Sequence, residues 1–235
     1  VAASSPRPTI GVVIAAAGES QRMNGIDKIW APIADYPLIA YTVGHFEAAD
    51  SIDEIALVVH PASFDRAQRL IHQLGWQKVT AVIGGVRRRD SVLSGTLALS
   101  PGLDYMIVHD GARPLVTPVI ISASIIAVQH TGAASACVPL KDTVKYVDDQ
   151  RNVIATPDRT QLRALQTPQI FRRDLLLMAH ESIDNAIDVT DDATLVYSVG
   201  ISVHLFAGSY PNLKVTTRED LESVSALWAT QAMNI

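Results

Sequence analysis

IGVVIAAAGESQRMNGIDK, residues Ile10–Lys28, is the stretch whose reading decides the fold. Ile10-Gly-Val-Val-Ile14 is a short β-branched apolar run, preceded by Pro8 and followed by small residues. Such a run fits a strand covered on both faces, the usual state of a strand in a parallel sheet. Ala15-Ala-Ala-Gly18 then carries almost no side-chain bulk, so another molecule can approach the backbone closely. Two cations, Arg22 and Lys28, follow, six positions apart. Exposed backbone N–H groups beside positive charge make a place to hold phosphates. The plainer alternative is a strand-to-helix turn with two solvated cations. Two familiar phosphate loops are excluded. Gly25 is followed by Ile26 and Asp27, not by Lys and Ser/Thr, and Ser20 and Met23 stand where a dinucleotide fingerprint needs glycines.

Outward from this stretch, apolar runs alternate with amphipathic segments. Strands are expected within residues 52–60, 79–83, 105–109, 134–139 and 203–206. Helices are expected over 38–49, 62–74, 92–99, 118–130 and 173–182, again from about residue 188, with Thr190 or Asp191 as cap, and from about 218. That alternation specifies an α/β chain with a mostly parallel central sheet. Residues 1–9 read as a loose tail, and 31–38, with two prolines, as a turn. Leu165–Gln169 reads as a lead into Ile170-Phe171 and the helix after it. The segment from Lys141 to about Thr167 breaks the pattern. Thr143–Val147 and Val153–Thr156 flank a polar turn, the signature of a β-hairpin inserted at about 140–160 in a single 1–235 domain. A short hairpin is marginal alone, so it should lie against another body, and a second subunit is the expected one.

The bulk numbers bound the function. A chain of 235 residues with 48% hydrophobic content can bury a full core. Its net charge of −5 argues against a general nucleic-acid binder. A lone cysteine, Cys137 in an apolar context, reads as core and fits a reducing cytoplasm. The first nine residues show no apolar leader core, and Val119–Val128 is too short to span a bilayer, so a soluble protein without membrane attachment is expected.

Within this acidic chain the expected strand ends collect cations. Gly84-Gly85 precedes Arg87-Arg88-Arg89, and His109-Asp110-Gly111-Ala112-Arg113 closes another strand. Lys214 stands alone further on. A carboxylate such as Asp110 at a strand's carboxyl end can bind a metal or a ribose hydroxyl, or simply cap a turn with Arg113. At least one of the three arginines is expected to be a solvated helix start, and His109 reads as a satisfied interior histidine. No Ser-His-carboxylate set and no Cys/His metal cluster presents itself. Cations gathered at one cleft suggest an anionic, phosphate-bearing substrate.

Seven motifs together resemble one family, the 2-C-methyl-D-erythritol 4-phosphate cytidylyltransferases of the non-mevalonate isoprenoid pathway. They are AAAGESQRM with Lys28, GGVRRRDSV (84–92), VHDGARP (108–114), PLKDTVK (139–145), QTPQIF (166–171), VTDDA (189–193) and NLKVTTREDL (212–221). The resemblance implies a Rossmann-like nucleotidyltransferase domain with a protruding β-hairpin arm, working as a homodimer through that arm. It implies transfer of CMP from CTP to a polyol phosphate, 2-C-methyl-D-erythritol 4-phosphate, with release of pyrophosphate and a need for Mg²⁺. Carried over by motif, Ala16, Ala17, Gly18, Gly85 and Ser91 would hold cytosine and ribose. Arg22, Lys28 and Lys214 would contact the triphosphate during transfer. Asp110 and Arg113 would line the ribose and acceptor region. Asp110 would also be the protein's ligand to a metal held mainly by the triphosphate. Thr143 and Arg159, on the arm, would reach the acceptor in the partner subunit, and Thr167 and Thr190 lie in acceptor-side motifs. Ser20, Ile29-Trp30, Val86 and Gly111 depart from the family pattern. A ribitol 5-phosphate cytidylyltransferase shares most of these motifs and is the near alternative. A nucleotide-binding protein without catalysis is the remote one.

Overall fold

The computed structural model describes residues 7–18, 27–183 and 189–232. The first half of the chain gives β1 (Ile10–Ala16), a small ribbon of β2 (Pro32–Ile33) and β3 (Tyr36–Pro37), α1 (Leu38–Glu47), β4 (Glu54–Val59), α2 (Phe64–Leu74), β5 (Val79–Ile83), α3 (Arg88–Ala98) and β6 (Tyr105–Asp110). The second half gives α4 (Pro118–Thr131), β7 (Ala133–Pro139), a hairpin of β8 (Tyr146–Val147) and β9 (Val153–Ala155), β10 (Arg163–Arg172), α5 (Arg173–Ser182), α6 (Asp192–Ser198), β11 (His204–Ala207) and α7 (Arg218–Ala232). Seven strands form one sheet in the order β11-β7-β10-β6-β1-β4-β5. All its pairings are parallel except those of β10, which runs antiparallel to both β6 and β7.

The organising stretch explains the layering. Along β1, Ile10, Val12 and Ile14 face one apolar layer, shared with α1, α2, α4 and α7. Val13 faces the other, shared with α3, α5 and α6. Both faces are dry, so the strand is apolar throughout instead of alternating. α3 can lie close to the sheet because Gly95 has no side chain. A Cβ there would meet Val13 and Val58 methyls at 2.7 Å. From β5 the chain crosses back over β1 to form β6. The carboxyl ends of β1 and β6 therefore open a crevice at the point where strand order reverses.

Four expectations need correction. Residues 163–172 form a ten-residue strand in the middle of the sheet, not a lead-in to a helix. Pro168, after a cis peptide, hid it, since proline cannot donate to a ladder and argues against a central strand. The structure accommodates it where the pairing with β7 breaks, between Leu165 and Gln169. The arm strands are shorter than expected, with only Tyr146–Val147 paired against Val153–Ala155. α3 begins at Arg88, ahead of Val92, because the Asp90 carboxylate accepts the Arg87 N–H at 3.2 Å and caps the turn. Residues 7–9 are tied down as well: Arg7 pairs with Asp53 at 2.7 Å, and the Thr9 N–H donates to Asp104 at 2.8 Å.

Candidate active site

Two adjoining cavities open at the crevice. The first is walled by the bare exit of β1 (Ala15, Ala16, Ala17, Gly18), by Lys28, by the loop from Gly85 to Ser91, and by Asp110 and Lys214. The second is walled by Arg113, Gln166, Thr167, Gln169, Thr190 and Asp191. Arg88, Asp110 and Lys214 belong to both walls. Two ligands bound side by side would meet there.

The local sequence builds each wall. Lys28 opens a short 3₁₀ turn whose next two residues, Ile29 and Trp30, are buried and fix the lysine's base. Gly84 lets the end of β5 press against β1. A Cβ there would sit 2.3 Å from that of Ala17 and 2.8 Å from Ser91 Oγ. Ser91 Oγ lies 3.3 Å from the Gly85 carbonyl and 3.2 Å from that of Arg87, so it braces the loop's backbone. Gly84→Ala should therefore lower stability by about 1–3 kcal/mol through overpacking. A lower Tm is the expected measurement.

Asp110, at the carboxyl end of β6, is nearly buried and surrounded by cations. Lys214 Nζ lies 3.1 Å away, Arg113 Nε 3.2 Å and Arg88 Nη2 3.6 Å. Burial alone would raise the Asp110 pKa, but Lys214, Arg88 and Arg113 outweigh it and hold the carboxyl well below the usual range. Arg88 is itself clamped, its Nη1 2.6 Å from Oδ2 of Asp192, a residue 1% exposed at the start of α6. Burial disfavours the Arg88 charge, and Asp192 with Asp110 reverses that, so the guanidinium stays charged. Arg88, Arg113 and Lys214 stand against Asp110, Asp191 and Asp192, so these charges balance and Lys28 adds the surplus positive one. His109, fully buried, is pushed by desolvation down to about 3 and is neutral.

The structure brings together Ala16, Ala17, Gly18, Lys28, Gly85, Ser91, Asp110 and Lys214 in one cavity, and Arg113, Thr167 and Thr190 in the next. Arg22 lies outside the described residues. Thr143 and Arg159 stand at the base of the arm and line neither cavity. Of the three consecutive arginines, Arg87 pairs with Asp90 at 2.8 Å at the helix start, Arg88 faces the cleft and Arg89 is buried. Asp191, not Thr190, caps α6, accepting the Thr194 N–H at 2.7 Å. Sequence reasoning missed Asp192, Gln166 and Asn212. Gln166 holds the Lys214 loop through Ser209, and Asn212 receives the Arg113 guanidinium on its carbonyl at 2.7 Å. Each partner is far away in the chain, so no local spacing announces it.

A bare-backbone loop at a strand-order reversal, facing a cationic cluster shared by two cavities, defines a nucleotidyltransferase. The profile of the family described as 2-C-methyl-D-erythritol 4-phosphate cytidylyltransferase matches residues 10–229. The chain belongs to that family. A protein of that name from Dehalococcoides mccartyi is 43% identical over 213 residues, covering 90% of this chain and 92% of that one. One from Alkaliphilus oremlandii is 42% identical over 215 residues, covering 89% and 91%. Among solved structures, the 4-diphosphocytidyl-2C-methyl-D-erythritol synthase of Anaerococcus prevotii superposes with a TM-score of 0.85 at 28% identity. The match covers 95% of this chain and all (100%) of that one. The 2-C-methyl-D-erythritol 4-phosphate cytidylyltransferase of Thermus thermophilus gives 0.75 at 27% identity, over 93% and 98%. The expectation of an α/β nucleotidyltransferase domain carrying a β-hairpin is borne out.

Proposed function

We propose that this enzyme transfers CMP from CTP to 2-C-methyl-D-erythritol 4-phosphate, releasing pyrophosphate, in the non-mevalonate route to isoprenoid precursors. The observation that carries the proposal is the pair of cavities sharing Arg88, Asp110 and Lys214, in a chain of this family. The nucleotide occupies the first cavity, against the backbone of Ala16, Ala17, Gly18 and Gly85, with its phosphates toward Lys28 and Lys214. The acceptor occupies the second, with its phosphate toward Arg113 and Lys214.

The chemistry needs no general base. A phosphate monoester has a second pKa of about 6, so the attacking oxygen is already ionised at neutral pH. One P–O bond forms to the α-phosphorus as the bond to pyrophosphate breaks in line. The obstacle is electrostatic, an anion approaching a triphosphate. Before substrates arrive, Asp110 keeps Arg88, Arg113 and Lys214 within 3.1–3.6 Å of its two carboxylate oxygens. Those cations exchange part of that contact for phosphate oxygens, already oriented when charge develops.

Among the described residues no group of three or more His, Cys, Asp or Glu could hold a metal by itself. The donor set fits a Mg²⁺ carried mainly on triphosphate oxygens, with Asp110 as the one cleft carboxylate common to both cavities. Bound there, the ion would neutralise triphosphate charge. Among the described residues no helix is long and apolar enough to cross a membrane, in keeping with cytoplasmic work. Thr143 and Arg159 are assigned to the acceptor of a second subunit, reached across a dimer formed by the arm.

The deciding experiment measures pyrophosphate release with CTP and either 2-C-methyl-D-erythritol 4-phosphate or ribitol 5-phosphate. Preference for the first by kcat/KM is expected, and preference for ribitol 5-phosphate reverses the assignment. Absence of turnover with every nucleotide and polyol phosphate pair removes the catalytic reading altogether.

A further inference from the structure

We infer that His109 is a positioning residue held in one tautomer, which uses Thr167 and Arg113 to fix the turn that carries Asp110. The inference rests on the transfer reaction proposed above. His109 lines neither cavity and is fully buried at the end of β6, its ring 4.9 Å from that of Phe46. Its Nε2 lies 3.3 Å from the Arg113 carbonyl oxygen, and its Nδ1 lies 3.0 Å from Thr167 Oγ1. A carbonyl oxygen can only accept, so the network assigns the ring proton to Nε2 and leaves Nδ1 bare. Nδ1 then accepts the hydroxyl hydrogen of Thr167. Thr167 Oγ1 in turn accepts the Asp110 N–H at 3.0 Å.

The result is one directed run of donors: Asp110 N–H to Thr167, Thr167 O–H to His109, His109 Nε2–H to the Arg113 carbonyl. It passes from β6 to β10 and back, and begins and ends on two residues of the acceptor cavity's wall, Asp110 and Arg113. The rest of the turn is tied as firmly. Thr42 Oγ1 donates to the Gly111 carbonyl at 2.9 Å, the Gly111 N–H to Ala15 at 2.9 Å, and the Val215 N–H to Ala112 at 2.8 Å.

Two consequences follow. The single hydroxyl hydrogen of Thr167 is spent on His109, so Thr167 serves the cleft as part of a brace and does not donate to the acceptor phosphate. The other tautomer would set a nitrogen lone pair against the Arg113 carbonyl and turn the Thr167 hydrogen away from the ring. One tautomer therefore corresponds to one placement of Asp110 and Arg113, set before substrate binds.

The first test is made on the unaltered protein, by nitrogen-15 NMR of its labelled histidines at neutral pH. His109, assigned by the signal missing from His109→Gln, should show a protonated Nε2 and an unprotonated Nδ1. A proton on Nδ1 overturns the proposal. The second test is kinetic. His109→Gln keeps a donor for the Arg113 carbonyl but replaces the fixed ring acceptor for Thr167 with an amide oxygen on a freely turning chain, and Thr167→Val removes the hydroxyl. Each should lower kcat on the order of 10- to 100-fold, as small misplacements of reacting groups do. Because both break one brace, the double variant should be no slower than the worse single variant, and Thr167→Ser should restore most of the Thr167→Val loss. If Thr167 donates directly to the acceptor instead, Thr167→Val raises the acceptor KM, His109→Gln does not, and the two effects add; that pattern overturns the brace. Should both variants fail to fold, the tautomer measurement still decides, with the His109 signal then assigned through the contact of its ring with Phe46, 4.9 Å away. It needs no turnover, so an inactive parent enzyme would count against the proposed reaction and not against the brace.

Discussion

Lys28→Ala and Lys214→Ala should each lower turnover by roughly 10²–10³-fold, the cost of removing one aimed electrostatic stabiliser from a transfer site. Neither should unfold the protein. The Lys214 side chain is more than a third exposed, and Asp110 keeps Arg113 and Arg88 as partners when the ammonium is gone. The turn that bears Lys28 is fixed by the buried Ile29 and Trp30, so truncating the lysine leaves its anchor intact. Exposed truncations of this kind usually change stability by about 0.5 kcal/mol or less. The measurement is steady-state kinetics beside thermal melts. A fall in kcat larger than any rise in the KM for CTP marks an interaction made chiefly in the transition state. Near-normal turnover in both variants, with Tm unchanged, would remove these lysines from the mechanism.

How far the sequence disclosed this site depends on how local each feature is. The bare loop after β1 was legible because its strand is apolar on both faces and its small residues are contiguous. Lys28, Arg88, Asp110, Arg113 and Lys214 were legible as strand-end cations and a carboxylate, since a parallel sheet sends its carboxyl ends to one side. What joins them was not legible. Arg88 and Asp192 are 104 positions apart, and Asp192 sits beside Asp191, which offers the more obvious reading of a helix cap. β10 was lost to Pro168, whose missing N–H is tolerated only because the ladder is already interrupted there. His109 was rightly read as interior, but its partner Thr167 is 58 positions away. Periodicity reports which face of an element is covered. It does not report which side chains meet across the cover.

Deleting Val144–Thr156 should abolish use of the acceptor while CTP still binds. The hairpin is held by strands of two and three residues with a register irregularity, too little to be stable alone. Tyr146, Val147, Val153 and Ile154 are each more than half exposed, an apolar face that water does not favour and a second subunit would cover. The nucleotide cavity draws on none of these residues, so CTP affinity should survive. Arg159, fixed at the arm's base by donating to the Lys141 carbonyl at 2.6 Å, stands outside both cavities of its own chain. If it grips the acceptor phosphate, it does so across the dimer. Losing such charge-assisted contacts should cut kcat/KM for the acceptor by roughly 10²-fold or more. Sedimentation should show a monomer, and a fully active monomer would refute the shared site. Arg159→Ala and Lys214→Ala separate the two geometries further, since each alone should be nearly inactive. Co-expressed, they pair at random, and every mixed dimer regains one site with an intact cleft and an intact opposing arm. Half the dimers with half their sites restored should give about a quarter of normal activity. If the arm served its own cleft, each cleft would still lack one residue and no activity would return.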